Sequence, residues 1–297
     1  MTSARTYYGR PVIKPPVWTR EIPWYFFFGG MAGAAATLAA VARGRGNERL
    51  ADAAGRVALA GGLASPPLLI SDLGRPDRFH HMLRVAKPTS PMSVGSWVLM
   101  VFVPAAGGAA VLSTLGWLPR LQRAAEVAGA ALGPAMSTYT AVLVASTAVP
   151  AWHEARKELP WVFAGGSAAS AGAAALLLVD GEEAAPARKL AVSGAAVELV
   201  AAWLMERRLG ELGEPYQMGA AGGLSRLATG LSAAGAGLLG LLGRRRGAAV
   251  AGAALVLAGA AAERWAVFKA GFASAQDPRY TVKPQRERIS GREVPDA

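Results

Sequence analysis

Almost every ionisable residue of this chain falls in a short stretch between apolar runs, so the few that do not are where chemistry must be accommodated. Glu198 lies near the middle of the apolar run 190–205. An ionised carboxylate there costs about 2.5 to 3.5 kcal/mol, the insertion-scale value for the comparable Asp, so it requires an interhelical partner or a proton. Two roles follow for Glu198: a structural hydrogen-bonded contact, or proton transfer within a polar cavity. Glu263 and Arg264, adjacent in the last apolar run, are expected to neutralise one another locally, close to the interface. At the mouth of the first run, Trp18, Arg20, Glu21, Trp24, Tyr25 and Phe26 to Phe28 crowd aromatic rings beside charges. That composition suits an aromatic belt at the lipid headgroups. It equally suits a slot for a flat apolar ring bearing carbonyls, such as a quinone, which needs aromatic walls and a few placed donors.

The histidines limit the redox chemistry available. Only His80, His81 and His153 occur, the first two after the second apolar run and the third after the fourth. A bis-histidine haem needs two imidazoles facing each other from neighbouring membrane helices, so no haem is expected on this chain. His80 and His81 are either solvated loop residues or part of proton uptake, given an unperturbed pKa of about 6.5. There is no cysteine, which rules out disulfides, thiolate-bound zinc and any iron–sulfur cluster held by this chain itself.

A set of membrane helices must position these groups. Hydrophobic residues make up 53% of the 297 and charged residues only 17%, a balance unlike that of a water-soluble domain. A bilayer core about 30 Å thick needs roughly 20 apolar residues in helical form. The runs 23–42, 92–118, 127–149 and 160–179 contain no charge, while 57–71, 190–205, 227–243 and 247–268 are shorter or carry some. The expectation is an all-α polytopic membrane protein of eight transmembrane helices, arranged up and down as two four-helix bundles. Its parts are an extramembrane segment 1–22, a transmembrane domain 23–268 and an extramembrane tail 269–297. An even number of spans puts both termini on one side, with the loops 72–91, 150–159 and 206–226; we call this the terminal face. The first 22 residues lack the features of a cleaved signal peptide, so the first span is expected to direct insertion.

Small residues should line the helix contacts, since lipid offers little hydrophobic gain for helix association. Gly29, Gly30 and Gly33 in the first run, and Gly230, Gly235, Gly237 and Gly240 in the seventh, are assigned to packing. Pro66, Pro67 and Pro134 fall within runs and should kink them. The net charge of +11 is spread over every loop without a nucleic-acid-binding motif, so it is read as membrane-facing. Lys and Arg are more numerous on the terminal side, whose loops are also longer, and the orientation in the membrane stays open.

The stretch Ser71-Asp72-Leu73-Gly74-Arg75-Pro76-Asp77-Arg78-Phe79-His80-His81-Met82, followed by Ser90-Pro91-Met92-Ser93-Val94-Gly95-Ser96-Trp97, resembles the signature of the NrfD family. That family includes the membrane subunit of polysulfide reductase. Ile22-Pro23-Trp24-Tyr25-Phe26-Phe27-Phe28-Gly29-Gly30, and Tyr139-Thr140-Ala141-Val142-Leu143 leading to Val149-Pro150-Ala151-Trp152, are similar to its other marks. The tail around Trp265 and Tyr280 resembles a subset found with formate-dehydrogenase-like proteins. The resemblance implies eight or more helices, no haem, and a quinone pocket near one membrane face. It also implies a docked four-cluster, ferredoxin-like iron–sulfur subunit, which in turn meets a molybdopterin catalytic subunit. Tyr139 matches the family tyrosine that donates to a quinone carbonyl. Asp72 and Arg75 match the loop that shapes the pocket and, with Arg78, the partner surface; a local Asp72–Arg75 ion pair is the structural alternative. Where polysulfide reductase has a histidine at the start of the first helix, this chain has Arg20 and Glu21. His153 stands where many relatives have asparagine.

The combined expectation is a quinone-reactive anchor in the inner (cytoplasmic) membrane, not catalytic alone. It would pass electrons between menaquinone or ubiquinone and the iron–sulfur partner. Trp24, Arg20, Glu21, Tyr139, His153 and Asp72 would bind quinone, and Glu198, His80 and His81 would move protons. A secondary transporter, with Glu198 as coupling-ion site, and a purely structural anchor are the alternatives; the lack of an evident internal repeat speaks against the transporter. The purified complex should show no Soret band from this chain. A haem lost on substitution of His80, His81 or His153 overturns that expectation.

Overall fold

The computed structural model describes residues 11–290. Its long helices are α1 (Glu21–Gly44), α2 (Glu48–Ser71), α3 (Pro91–Leu115), α4 (Pro119–Ala145), α5 (Leu159–Leu178), α6 (Ala185–Leu209), α7 (Gly219–Leu242) and α8 (Arg246–Gln276). Seven are long and apolar enough to cross a bilayer. The eighth, α6, has the length, and its 25 residues include Arg188, Lys189, Glu198 and Glu206 to Arg208, which lower its hydropathy. No strand occurs among the described residues.

Helices α1 to α4 form a ring in which each packs on the next and α4 closes on α1, and α5 to α8 form a second such ring. The two four-helix bundles meet along a seam where α1 and α4 face α5, and α1 also reaches α8. Trp18, Arg20 and Gln276 border one cavity, so both ends of the bundle sequence lie on the terminal face.

Local sequence explains the helix boundaries. Asn47 caps α2, its side chain accepting from the Leu50 amide at 3.1 Å, so α2 starts at Glu48 and not at the first apolar residue, Val57. The polar residues before Val57 form its end on the far face: Asp52 pairs with Arg43 at 2.9 Å, and Arg43 also pairs with Glu126 at 3.0 Å. Helix α3 ends at Leu115, short of the expected Leu118, because Gly116 turns left-handed with φ 65°. Helix α8 continues past Phe268 to Gln276, since nothing interrupts it before Asp277 and Pro278. Pro134 lies inside α4 and leaves the Ala130 carbonyl without its usual helical donor; Thr37 of α1 supplies one at 3.3 Å.

Glycines set the helix separations, though not all of those expected. A Cβ on Gly133 would lie 2.4 Å from the Gly33 carbonyl oxygen, so α1 and α4 touch backbone to backbone. Gly165 and Gly194 do the same for α5 and α6, and Gly235 and Gly252 for α7 and α8. Gly230, Gly237 and Gly240 face open space, which corrects their assignment to packing: α7 turns only the Gly235 side toward α8. Gly133→Leu should therefore destabilise the chain by at least about 1–3 kcal/mol, the cost of overpacking, while Gly237→Leu should leave it unchanged. Thermal melts in one detergent compare the two; equal losses would mean that backbone approach does not set the α1–α4 spacing.

Candidate functional site

The terminal face is held together by its own polar contacts. The Thr19 amide and hydroxyl each donate to Asp72 Oδ1 at 2.7 Å, which fastens the lead-in to α1 onto the end of α2. Asp72 is thus committed across 53 residues of sequence, and the local pair with Arg75 is not formed. Trp18 stacks on Trp152 with ring centroids 5.4 Å apart. Trp152, 0% exposed, donates its indole N–H to the Val267 carbonyl at 2.7 Å and rests on Gly271, where a Cβ would lie 1.9 Å from the ring. The segment before α1, the short helix Pro150–Glu154 and the upper part of α8 are therefore packed directly on one another.

Three groupings appear where the sequence suggested one. Tyr139 lies half-buried within the first bundle, its ring against Gly95 of α3 and edge-on to Tyr25 of α1 at 6.4 Å. A Cβ at residue 95 would come 2.3 Å from the Tyr139 ring, so the glycine of the Ser-Val-Gly-Ser-Trp stretch makes room for the tyrosine. Tyr25 is 1% exposed and its hydroxyl has no partner. A buried hydroxyl without a hydrogen bond costs free energy unless an acceptor is brought to it. The position of Tyr25 in the aromatic run was visible in the sequence; the missing partner was not.

The second grouping lies on the seam. Arg20, paired with Glu21 at 3.4 Å, borders a cavity of about 620 Å³ with Trp18, Trp265, Phe268, Lys269 and Phe272. Trp24 meets Trp265 edge-on at 6.1 Å and points about 100° around α1 from Tyr25. The third grouping surrounds His153, whose Nδ1 lies 3.1 Å from the Ala145 carbonyl. It borders a cavity of about 370 Å³ with Glu154, Tyr280 and Thr281. The C-terminal helix Arg279–Ser290 closes that side: the Tyr280 hydroxyl donates to Glu214 at 3.0 Å, and Lys283 pairs with Glu211. Burial, then the hydrogen bond to Glu214, hold the Tyr280 hydroxyl above the usual phenol range, so it stays a donor at neutral pH.

His80 and His81 sit on the exposed turn Pro76–Leu83 with ring centroids 4.3 Å apart. Arg78 pairs weakly with Asp77 at 3.9 Å, and Arg75 is exposed beside it. Ser93 donates to the Val85 carbonyl at 2.7 Å and Trp97 to the same oxygen at 3.2 Å, which pins this turn to α3.

Glu198 belongs to none of these groupings. It is 3% exposed inside the second bundle and pairs with Arg264 of α8 at 3.5 Å. Arg264 is 2% exposed, donates to the Phe163 carbonyl at 2.9 Å, and lies 4.2 Å over the Phe163 ring. Glu263 is itself 5% exposed and makes no ion pair with Arg264, so the expected local pair is replaced by an interhelical one. Adjacent residues on a helix point about 100° apart, whereas Arg264 and Glu198 face each other across the α6–α8 contact. Gly166 provides the space: a Cβ there would lie 2.0 Å from Glu198 Oε1. Among the described residues no group of three or more His, Asp or Glu could hold a metal ion.

Seven helices long and apolar enough to cross a bilayer, with α6 packed among them and aromatic and cationic residues at one face, define a multi-pass membrane protein. The family model described as polysulfide reductase, of the NrfD type, matches residues 4–277, and the chain belongs to that family. Its members are membrane subunits of quinone-linked oxidoreductase complexes, typically with iron–sulfur and molybdopterin subunits. No curated protein matches the chain in sequence.

Breaking a buried ion pair by removing one partner typically costs about 3–5 kcal/mol, while replacing both with apolar residues is often neutral. Glu198→Leu and Arg264→Met should each lower the melting temperature, and the double variant should recover much of the loss. Additive losses would show that the two side chains do not stabilise each other.

Proposed function

We propose that this chain exchanges electrons between a membrane quinone and a peripheral iron–sulfur subunit docked on the terminal face. What carries the reading is the meeting of Tyr139, Gly95 and Tyr25 in a family of quinone-linked membrane subunits. One tyrosine is held in place by a glycine, and its neighbour keeps a buried hydroxyl with nothing to bond. A quinone carbonyl is an acceptor of the kind that the Tyr25 hydroxyl lacks, and the surrounding aromatic rings suit its flat apolar body. Oxidation of the quinol form releases two electrons and two protons, and reduction takes up the same number.

In this scheme Tyr139 donates to one carbonyl and holds the ring in place. The wider cavity bordered by Arg20 forms the mouth on the seam, with Glu21 paired to Arg20 and Trp24 against Trp265, and Trp265 and Lys269 add aromatic surface and charge. Protons pass to water at the rim. With Nδ1 directed at a carbonyl, a neutral His153 has Nε2 free as an acceptor beside its cavity. Asp72, His80 and His81 border the same face, and Arg75 and Arg78 offer charge to the docked subunit. Glu198 serves a second proton route that links the redox step to charge movement in the second bundle. The quinone is menaquinone or ubiquinone, the membrane is the inner one, and the electrons are shared with a four-cluster iron–sulfur protein and, beyond it, a molybdopterin subunit.

Tyr139→Phe should slow quinone-linked turnover with little loss of assembly, because it removes one hydroxyl and keeps the ring against Gly95. A neutral hydrogen bond contributes about 0.5 to 1.5 kcal/mol, so a role in binding alone predicts a loss of about tenfold or less, and a larger loss implicates proton transfer. Electron transfer from an artificial donor to the catalytic partner bypasses the pocket and should be unaffected. Wild-type quinone affinity and turnover in the variant would remove Tyr139 from the site.

A further inference from the structure

On the face opposite the termini, the seam between the bundles opens as a groove of about 550 Å³ that the quinone chemistry does not use. Ala34, Leu38 and Val41 of α1 form one wall, and Ala164 and Ala168 of α5 with Leu190 of α6 form the other. The short alanine side chains along both walls leave the space between the helices unfilled, a slot open to the bilayer.

The hydroxyls in this slot have no donor to offer a ligand. Thr37 donates to the Gly33 and Ala130 carbonyls, Ser137 to Gly30, Thr138 to Pro134 and Ser193 to Leu190. A quinone head group would find only carbonyl-bound hydroxyls there, whereas a hydrocarbon chain needs no polar partner. The mouth differs. Arg45, just beyond the end of α1, and Lys189, the fifth residue of α6, border it, are exposed, and form no ion pair among the described residues. Their neighbours are paired: Arg43 with Glu48, Asp52 and Glu126, and Arg49 with Glu183 at 2.8 Å. The Asn47 amide at the mouth donates to the Glu183 carbonyl at 2.8 Å, which ties the α1–α2 turn to the second bundle.

We propose that this groove holds an anionic phospholipid, one acyl chain lying along the alanine walls and the phosphate between Arg45 and Lys189. Basic pockets between membrane helices favour anionic headgroups, and an apolar slot with internally satisfied hydroxyls favours a chain over a polar ligand. Bound there, the lipid seals the seam and bridges the bundles at the face where Asn47 joins them.

The test is native mass spectrometry of the full chain, purified in mild detergent and exposed to equimolar phosphatidylglycerol and phosphatidylcholine with identical chains. The intact chain should retain phosphatidylglycerol preferentially by roughly tenfold or more, given about 1 kcal/mol for each basic residue near the headgroup. Arg45→Gln with Lys189→Gln should abolish the preference, and Ser193→Trp, which fills the slot from an exposed position, should abolish retention of both lipids. Melting curves check that each variant is folded, and phosphatidylglycerol should raise the melting temperature of the intact chain alone. Equal retention of the two lipids overturns the proposal, as does an unchanged preference in the charge variant. Displacement of the lipid by added quinone, or a Ser193-dependent dimer in place of bound lipid, also overturns it.

Discussion

The backbones of α1 and α4 touch at Gly33 and Gly133, and much of the terminal face follows from that contact. In a bilayer, helices gain little by hiding apolar surface from one another, so close approach and hydrogen bonds must fix their positions. The Ser137 hydroxyl bonds the Gly30 carbonyl on one side of the contact, and Thr37 bonds Ala130 on the other. The helices run in opposite directions, so Tyr25 lies about 12 Å above Gly33 and Tyr139 about 9 Å above Gly133, both toward the terminal face. Their rings meet because the glycines below them meet.

The second bundle is organised around charge. A buried carboxylate and guanidinium must satisfy each other and their remaining polar atoms, or the low-dielectric surroundings make them costly. Phe163 helps twice, through its carbonyl and its ring, and Gly166 leaves room for both charged groups. Such an arrangement fixes the register of α5, α6 and α8 together, since a shift of any one separates the pair.

The fold class, the bundle arrangement and the family were legible in the sequence, because apolar runs of membrane length and the Asp-Leu-Gly-Arg-Pro and Ser-Pro-Met stretches are local features. Long-range pairings were not. Glu198 was marked as needing a partner, but its partner stands 66 residues away, and the adjacent Glu263 looked equally suited to Arg264. Asp72 was assigned to the loop that shapes the pocket, with a local pair to Arg75 as the alternative; its bonds to Thr19 were not foreseen. Gly95 was read as part of a motif, and its physical reason, the Tyr139 ring, lies on another helix. The first turns of α2 were missed because Arg49, Asp52 and Arg56 interrupt the hydrophobic pattern, although Asn47 was a capping residue in plain view. The Trp152–Gly271 contact had no sequence signal beyond the residue types.

The depth of the Glu198–Arg264 pair has an electrical consequence. Glu198 lies 8 residues from Leu190, where the uncharged stretch of α6 begins on the far face, about 12 Å into a core about 30 Å thick. Between it and Arg188, Lys189 and Arg246, the four helices carry no titratable side chain. The second bundle is therefore an insulator with one polar layer near the middle of the core. A proton reaching Glu198 from the terminal face crosses about half of the membrane voltage, close to 1.1 kcal/mol for each 100 mV. The remaining voltage falls across alanine, glycine and leucine, so a full crossing requires water to be admitted there, and in its absence the same stretch blocks proton leakage.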